Sequence, residues 1–178
     1  MNRSRCRIAI HTATGALFVL AACSTRGATA AAQTGGSKAG AANASTGNAC
    51  DRKLLVAADV AGILRTPITG NGPIPGDPQS CKFDTGNYAS ITVTVRGGMG
   101  KTTVDSWKSG RMPVQATPLS GVGDEAVWVG SLHEVISEKG NALCDIQVMG
   151  IGGDFVGSAS DQQRSIGALC NKIFAALK

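Results

Sequence analysis

The sequence has few of the side chains that form catalytic, metal-binding and nucleic-acid-binding sites. It contains two histidines, one tyrosine, two tryptophans and four phenylalanines among 178 residues. No G-x-S-x-G segment, the turn that presents the serine of many hydrolases, occurs. No two cysteines have the close spacing of a zinc site. The few aromatic residues are not interleaved with basic ones, which argues against nucleic-acid binding. The sequence therefore points to no metal and no cofactor.

One long apolar run lies at the N-terminus. Arg3, Arg5 and Arg7 precede a mostly apolar segment over residues 8–22, and two small residues then precede Cys23. This pattern is typical of an export signal, and the run is too short for a membrane-spanning helix. Removal of residues 1–22 takes three of the 17 basic side chains and none of the 12 acidic ones, so the formal net charge falls from +5 to +2. A near-neutral chain lacks the basic surface that nucleic acid requires.

The rest of the chain divides into a tether and one domain. Residues 24–49 are nearly all Ala, Gly, Ser, Thr and Asn, and cannot bury enough apolar surface to fold. We expect a flexible tether, which would hold the domain on average about 30 Å from the residue where the tether begins. Residues 50–178 are long enough for a single domain with one core.

Four cysteines remain in that domain: Cys50, Cys81, Cys144 and Cys170. An even number in an exported domain predicts two disulfides, with three possible connectivities. Cys144 lies on the apolar face of a predicted strand, and Cys170 lies on the apolar stripe of the predicted last helix. The pattern therefore pairs Cys144 with Cys170, which leaves Cys50 for Cys81.

Hydrophobic periodicity predicts two helices at the ends of the domain and strands between them. A helix over residues 56–64 ends before Pro67, and residues 67–78 are predicted to form a loop. Strands are predicted over residues 81–84, 89–96, 125–129, 133–138 and 142–149, with a weak helix around Val104 and Trp107. The last helix is predicted to open with a capping box at Ser160 and Gln163. This order indicates an α+β fold, in which N- and C-terminal helices pack on an antiparallel sheet of about five strands.

The tetrapeptide Leu20-Ala21-Ala22-Cys23 resembles the lipobox of bacterial lipoproteins. The resemblance implies that Cys23 is acylated with fatty chains such as palmitate, becomes the new N-terminus and anchors the protein to a membrane. Two or more acyl chains make such an anchor lasting. Ser24 would permit sorting to the outer membrane of a Gram-negative envelope. The alternative is an ordinary cleaved export signal with a cysteine there by chance.

Three segments of the domain are similar to a group of small bacterial envelope lipoproteins. They are Leu54–Val60 (without a capping Ser or Thr at Val56), Pro75–Phe83 and Gly121–Ala126. The single α+β domain of that group has no assigned biochemical role, so the resemblance implies the fold and the disulfides but no catalytic residue.

Two glycine-rich segments imitate nucleotide-binding motifs. The segment Arg96–Thr103 resembles the deviant Walker motif of ParA-like ATPases, but Arg96 replaces its lysine. The segment Gly121–Ala126 imitates a dinucleotide fingerprint, but it precedes a strand instead of linking a strand to a helix. We expect turns in both places.

The remaining candidates are a histidine, several acids and two tryptophans. His133 is the only histidine after residue 22, and it could act with Glu134 or Glu138 as a base or ligand. Either Asp124 with Glu125, or Glu134 with Glu138, could form a carboxylate pair. Trp107 and Trp128 could line a ligand cleft, although core positions suit them better.

The sequence thus predicts a non-enzymatic binding or interaction module, anchored by lipid to the extracytoplasmic side of a bacterial membrane. The outer membrane is favoured if the envelope is Gram-negative, and the expected partner is an envelope protein or a small ligand. The alternative is an envelope hydrolase that uses His133 and the acids near Asp124 and Glu125.

Overall fold

The computed structural model describes residues 48–151 and 154–177. Cys23, the export signal and most of the tether lie outside them. The helices are α1 (Ala57–Val60), α2 (Gly100–Lys108) and α3 (Ala159–Ala176). The strands are β1 (Gly70–Ile74), β2 (Asp77–Asp84), β3 (Ser90–Arg96), β4 (Thr117–Pro118), β5 (Glu125–Val129), β6 (Glu134–Lys139) and β7 (Ala142–Met149). A 3-10 turn spans Gly130–Leu132.

All seven strands form one antiparallel sheet in the order β1-β2-β3-β7-β6-β5-β4. The predicted α+β class with an antiparallel sheet is confirmed, but the prediction of about five strands was wrong. Strand β1 lies in the segment predicted to be a loop. Its sequence, Gly-Asn-Gly-Pro-Ile, has no alternation of apolar residues, and it becomes a strand by pairing with β2 at the sheet edge. An edge strand also tolerates Pro73. The second strand that was not predicted, β4, has two residues.

The limits of two helices differ from the sequence prediction. Helix α1 has one turn, because Ala61 is extended and Gly62 has a φ of +91°. Ile63 and Leu64 are buried without being helical. Helix α3 begins earlier than predicted, with Ser158 as its cap. The Asp161 N–H donates to Ser158 Oγ, and the Ser158 N–H donates to Asp161 Oδ2 at 2.8 Å.

The two faces of the sheet are covered by different elements. The main core lies on the face that packs against α3 and against residues 49–64. A second, smaller core lies on the other face, where α2 packs on β5, β6 and β7. Helix α2 was predicted as an element, but its role as the cover of a second face was not.

The structure pairs the cysteines as the sequence analysis proposed. The Cα atoms are 5.4 Å apart in the pair Cys50–Cys81 and 5.7 Å apart in the pair Cys144–Cys170. Both distances lie within the range of disulfides. Cys81, Cys144 and Cys170 are fully buried in the main core. The geometry therefore supports two bridges, one joining the entry of the domain to β2 and one joining β7 to α3.

Candidate functional site

A shallow groove of about 480 Å³ lies beside Trp128, at the β4 edge of the sheet. Its volume falls within the range of small-molecule sites. The lining residues come from the segment before β4, from β4 and β5, from the 3-10 turn and from α3. They are Val114, Gln115, Thr117, Trp128, Gly130, Ser131 and Gln163. None of them carries a charge.

The strand pairing between β4 and β5 positions Trp128 in this groove. Thr117 pairs with Trp128, and the Thr117 hydroxyl donates to the Trp128 carbonyl oxygen at 3.4 Å. A Cβ atom built on Gly130 would lie 3.2 Å from the indole Nε1, so glycine lets the turn pass close to the ring. The indole N–H has no acceptor among the residues that the structure describes and can donate to a ligand.

His133 ends the 3-10 turn that borders the groove. It has a φ of 46° and a ψ of 50°, a left-handed conformation that few residues other than glycine adopt. Its ring stacks on Phe155 with centroids 4.0 Å apart and meets Trp128 edge-on at 6.2 Å. Its Nδ1 is 2.8 Å from Oε1 of Gln162, a buried residue of α3. The histidine therefore links the turn to α3.

The structure does not bring His133 together with the acids proposed for a hydrolase. Glu125 lies at the other end of β5, four residues or about 13 Å along the strand. Asp124 is engaged at that same end, where its carboxylate accepts the Gly140 N–H at 2.8 Å. Glu134 and Glu138 point to the sheet face that α2 covers, whereas His133 packs with residues of the main core. Glu138 accepts the Asn141 N–H at 3.3 Å.

A carboxyl pair that the sequence analysis did not propose lies behind the groove, on the face of the sheet that carries α2. Glu134 opens β6 and is 8% exposed. Asp145 of β7 is its diagonal neighbour, because Glu134 pairs with Gln147 and Ile136 pairs with Asp145. The two carboxyl groups lie close enough that the charge of Asp145 acts on Glu134. When two carboxyl groups share a site in this way, the pKa of one of them is raised, so that it keeps its proton.

Burial and the neighbouring charges explain how the pair titrates. Burial raises the pKa of Glu134 to about 8, and the charge of Asp145 adds to the rise. Burial also raises the pKa of Asp145, although the hydrogen bond with Glu134 and the charge of Arg96 oppose it. The Arg96 guanidinium also lies 3.5 Å from the Asp77 carboxylate. Since Arg96 favours a charged Asp145, we assign the proton to Glu134.

The two glycine-rich segments form turns. In the first, Gly100 opens α2 and its N–H donates to the Asn141 carbonyl oxygen, while the Lys101 ammonium pairs with Asp105 at 3.4 Å. Those groups are thus engaged within the protein, and no strand pair among the described residues is parallel, as a Walker fold would require.

The second segment attaches the start of β5 to α3. Asn171 accepts the Gly123 N–H at 3.0 Å and donates to the Gly121 carbonyl oxygen at 2.9 Å. Trp107, the other candidate tryptophan, packs against the smaller core and does not line the groove.

Comparison with protein-family models, with curated proteins and with solved structures finds no match to this chain. Over residues 48–151 and 154–177, no three His, Cys, Asp or Glu side chains cluster as metal ligands would. Within the same residues, no helix is both long and apolar enough to cross a membrane.

Proposed function

We propose that the chain is a lipid-anchored envelope lipoprotein whose domain binds a small, uncharged polar ligand in the groove beside Trp128. The observation that carries the binding role is the lining of that groove. It combines an indole, two carboxamides and two hydroxyls without any charged side chain. Such groups recognise hydroxyl and amide groups by hydrogen bonds and pack on their apolar faces. A neutral sugar or a neutral peptide-like molecule has this chemistry.

The anchoring part of the proposal rests on the lipobox-like residues that end at Cys23. The cysteine geometry is consistent with it, since disulfides form and persist in oxidising compartments such as the bacterial periplasm. A tether that spans about 30 Å would leave the groove free to meet ligands near the membrane.

Membrane anchoring and ligand binding are tested separately. Metabolic labelling with a palmitate analogue should mark the wild-type protein but not Cys23→Ala, and Cys23→Ala should leave the membrane fraction. Unlabelled wild-type protein would contradict the anchor.

The binding test follows the two indole N–H resonances by NMR, in the oxidised chain with Cys23→Ala. The probe is N,N′-diacetylchitobiose, which carries hydroxyl and amide groups and no charge. We expect the Trp128 resonance to shift on titration while that of Trp107, which does not line the groove, stays in place. Equal shifts of both resonances, or of neither, would refute a neutral-sugar site in this groove.

Matched variants identify the groove as the site. Removing the polar atoms of Ser131 and Gln163 by alanine substitution should weaken binding by about tenfold, since each lost hydrogen bond contributes about 0.5–1.5 kcal/mol. Ser165→Ala, on the exposed side of α3, should bind as the wild type does. A double variant with wild-type affinity would place the probe elsewhere.

A further inference from the structure

The turn that borders the groove is followed directly by a buried carboxyl group, that of Glu134. His133, which caps the turn and with it forms residues 130–133, donates its N–H to the Gly130 carbonyl oxygen at 3.3 Å, and its own carbonyl oxygen accepts the Val148 N–H at 3.1 Å. Glu134 follows directly and points to the opposite face of the sheet. A change in the position of Glu134 therefore acts on the 130–133 turn through a single peptide unit.

Glu134 has a stable place in the fold only while the carboxyl pair keeps its proton. Its Oε2 atom is buried and has no hydrogen-bond donor in the described part of the chain. A proton on Glu134 gives it a partner, because the hydroxyl can donate to the Asp145 carboxylate. Without the proton, the buried Glu134 carboxylate lies beside the charge of the partly buried Asp145, which is unfavourable.

The other charged groups near the pair do not replace that proton. From β3, the Arg96 guanidinium faces Asp145, and from β2, Asp77 faces Arg96. Glu125 of β5 and Lys108 of α2 pair with each other at 2.7 Å, at the opposite end of β5 from the turn. On α3, the residue that His133 contacts is the uncharged Gln162. Among the residues that the structure describes, Asp145 is therefore the charged group that acts on Glu134.

We propose that the proton shared by Glu134 and Asp145 sets the conformation of the 130–133 turn and thereby controls the groove. The control of ligand affinity rests on the proposed function, whereas the control of the turn does not. When the pair loses its proton, the Glu134 carboxylate must move towards water to be solvated. The first residue of β6 then shifts, and the turn follows because His133 is already in a sparsely populated backbone conformation. Gly130 and Ser131, which line the groove, are carried with it.

A pH titration by NMR tests the control of the turn without any ligand. In the oxidised chain with Cys23→Ala, the amide resonances of Ser131 and His133 and the Trp128 indole resonance should share one transition near the pKa of about 8. Glu134→Gln should remove this transition, because glutamine is neutral and its amide can still donate to Asp145. Asp145→Asn is a second variant that should remove it.

Glu138→Gln is the matched control. Glu138 lies on the same strand and the same face and is 7% exposed, but its carboxylate accepts the Asn141 N–H. This variant should keep the transition. The proposal is overturned if the turn resonances do not move in the wild type, or if they move equally in Glu134→Gln.

The same variants test the control of ligand affinity. If N,N′-diacetylchitobiose binds, its dissociation constant should rise above the transition by up to about tenfold per pH unit, the limit for one linked proton. It should stay constant in Glu134→Gln. Failure of the probe to bind would contradict the neutral-sugar site, whereas a turn that does not respond to pH would contradict the switch.

Discussion

Substitution of Glu134 by glutamine should make the domain more stable at alkaline pH and flatten its stability against pH. The free carboxyl has a pKa of 4.5, and in the folded chain it is raised to about 8. Between these values the folded state holds a proton that the unfolded chain has released. The free energy of unfolding of the wild type therefore falls as pH rises through this window. Below the window both states are protonated, and above it neither is.

The magnitude follows from the width of the window. Each pH unit in which only the folded state holds the proton lowers the unfolding free energy by about 1.4 kcal/mol. From about pH 5.5 to pH 8 the wild type should lose about 3 kcal/mol. Burial of Glu134 lowers the free energy of unfolding in this window. Once the proton leaves, the folded chain holds a buried carboxylate, and its removal from water is unfavourable. Glu134→Gln should lose little over the same range.

Urea denaturation of the oxidised chain, followed by tryptophan fluorescence at several pH values, measures this difference. Asp59, Asp77, Glu125 and Asp161 have lowered pKa values, so their contributions are lost only under more acidic conditions. They do not affect the slope in the window. A wild type whose stability is level across it, or a Glu134→Gln variant with the same slope, would refute the reasoning. Glu138→Gln should keep the wild-type slope.

Three further changes test how α3 and the turn before β5 are held to the sheet. Replacing both Cys144 and Cys170 by alanine opens a loop with a sequence separation of 26. Chemical denaturation should show that the free energy of unfolding falls by about 3–4 kcal/mol. An unchanged midpoint would mean that no bridge forms. Gly123→Ala should destabilise the domain by at least about 2 kcal/mol, since the added Cβ would lie 2.2 Å from the Glu138 carbonyl oxygen at a φ of +59°. Asn171→Ala should lose two hydrogen bonds to the same turn, which should lower the free energy of unfolding by about 1–3 kcal/mol. Wild-type thermal stability of Gly123→Ala or Asn171→Ala would contradict the attachment of this turn to α3.

Elements with regular alternation were predictable from the sequence, and those formed by pairing alone were not. Ile91, Val93 and Val95 alternate with polar residues, so the central strand β3 could be recognised. Strand β1 has two glycines and a proline, and its conformation comes from the hydrogen bonds to β2. In the N-terminal segment, the spacing of Ile63 and Leu64 predicted burial correctly but predicted the wrong conformation. Burial is set by apolar character, whereas the helix ends at Val60, because Ala61 is extended and Gly62 has a positive φ.

Trp128 was named from the sequence as a residue that could line a cleft. The other residues of the groove and the carboxyl pair could not be predicted, because both depend on strand register. Side chains along a strand alternate between faces, so residues adjacent in sequence are separated. His133 and Glu134 are neighbours in the chain, but each has its partner elsewhere. His133 contacts Gln162, 29 residues away on α3, and Glu134 contacts Asp145 across the β6–β7 hairpin. A hydrolase site of His133 and its nearest acids would require these side chains to lie together, but the strand keeps them apart.

Because His133 lies apart from these acids, a substitution of His133 does not test catalysis alone. His133→Ala would remove the ring that stacks on Phe155 and the contact with Gln162, and so loosen the turn beside the groove. Loss of a cellular function in this variant would therefore not by itself indicate acid–base catalysis. His133→Gln separates the two cases, since a carboxamide can keep a hydrogen bond to Gln162 but cannot act as a general base. Function retained in His133→Gln and lost in His133→Ala would favour a positioning role, whereas equal loss in both would favour catalysis.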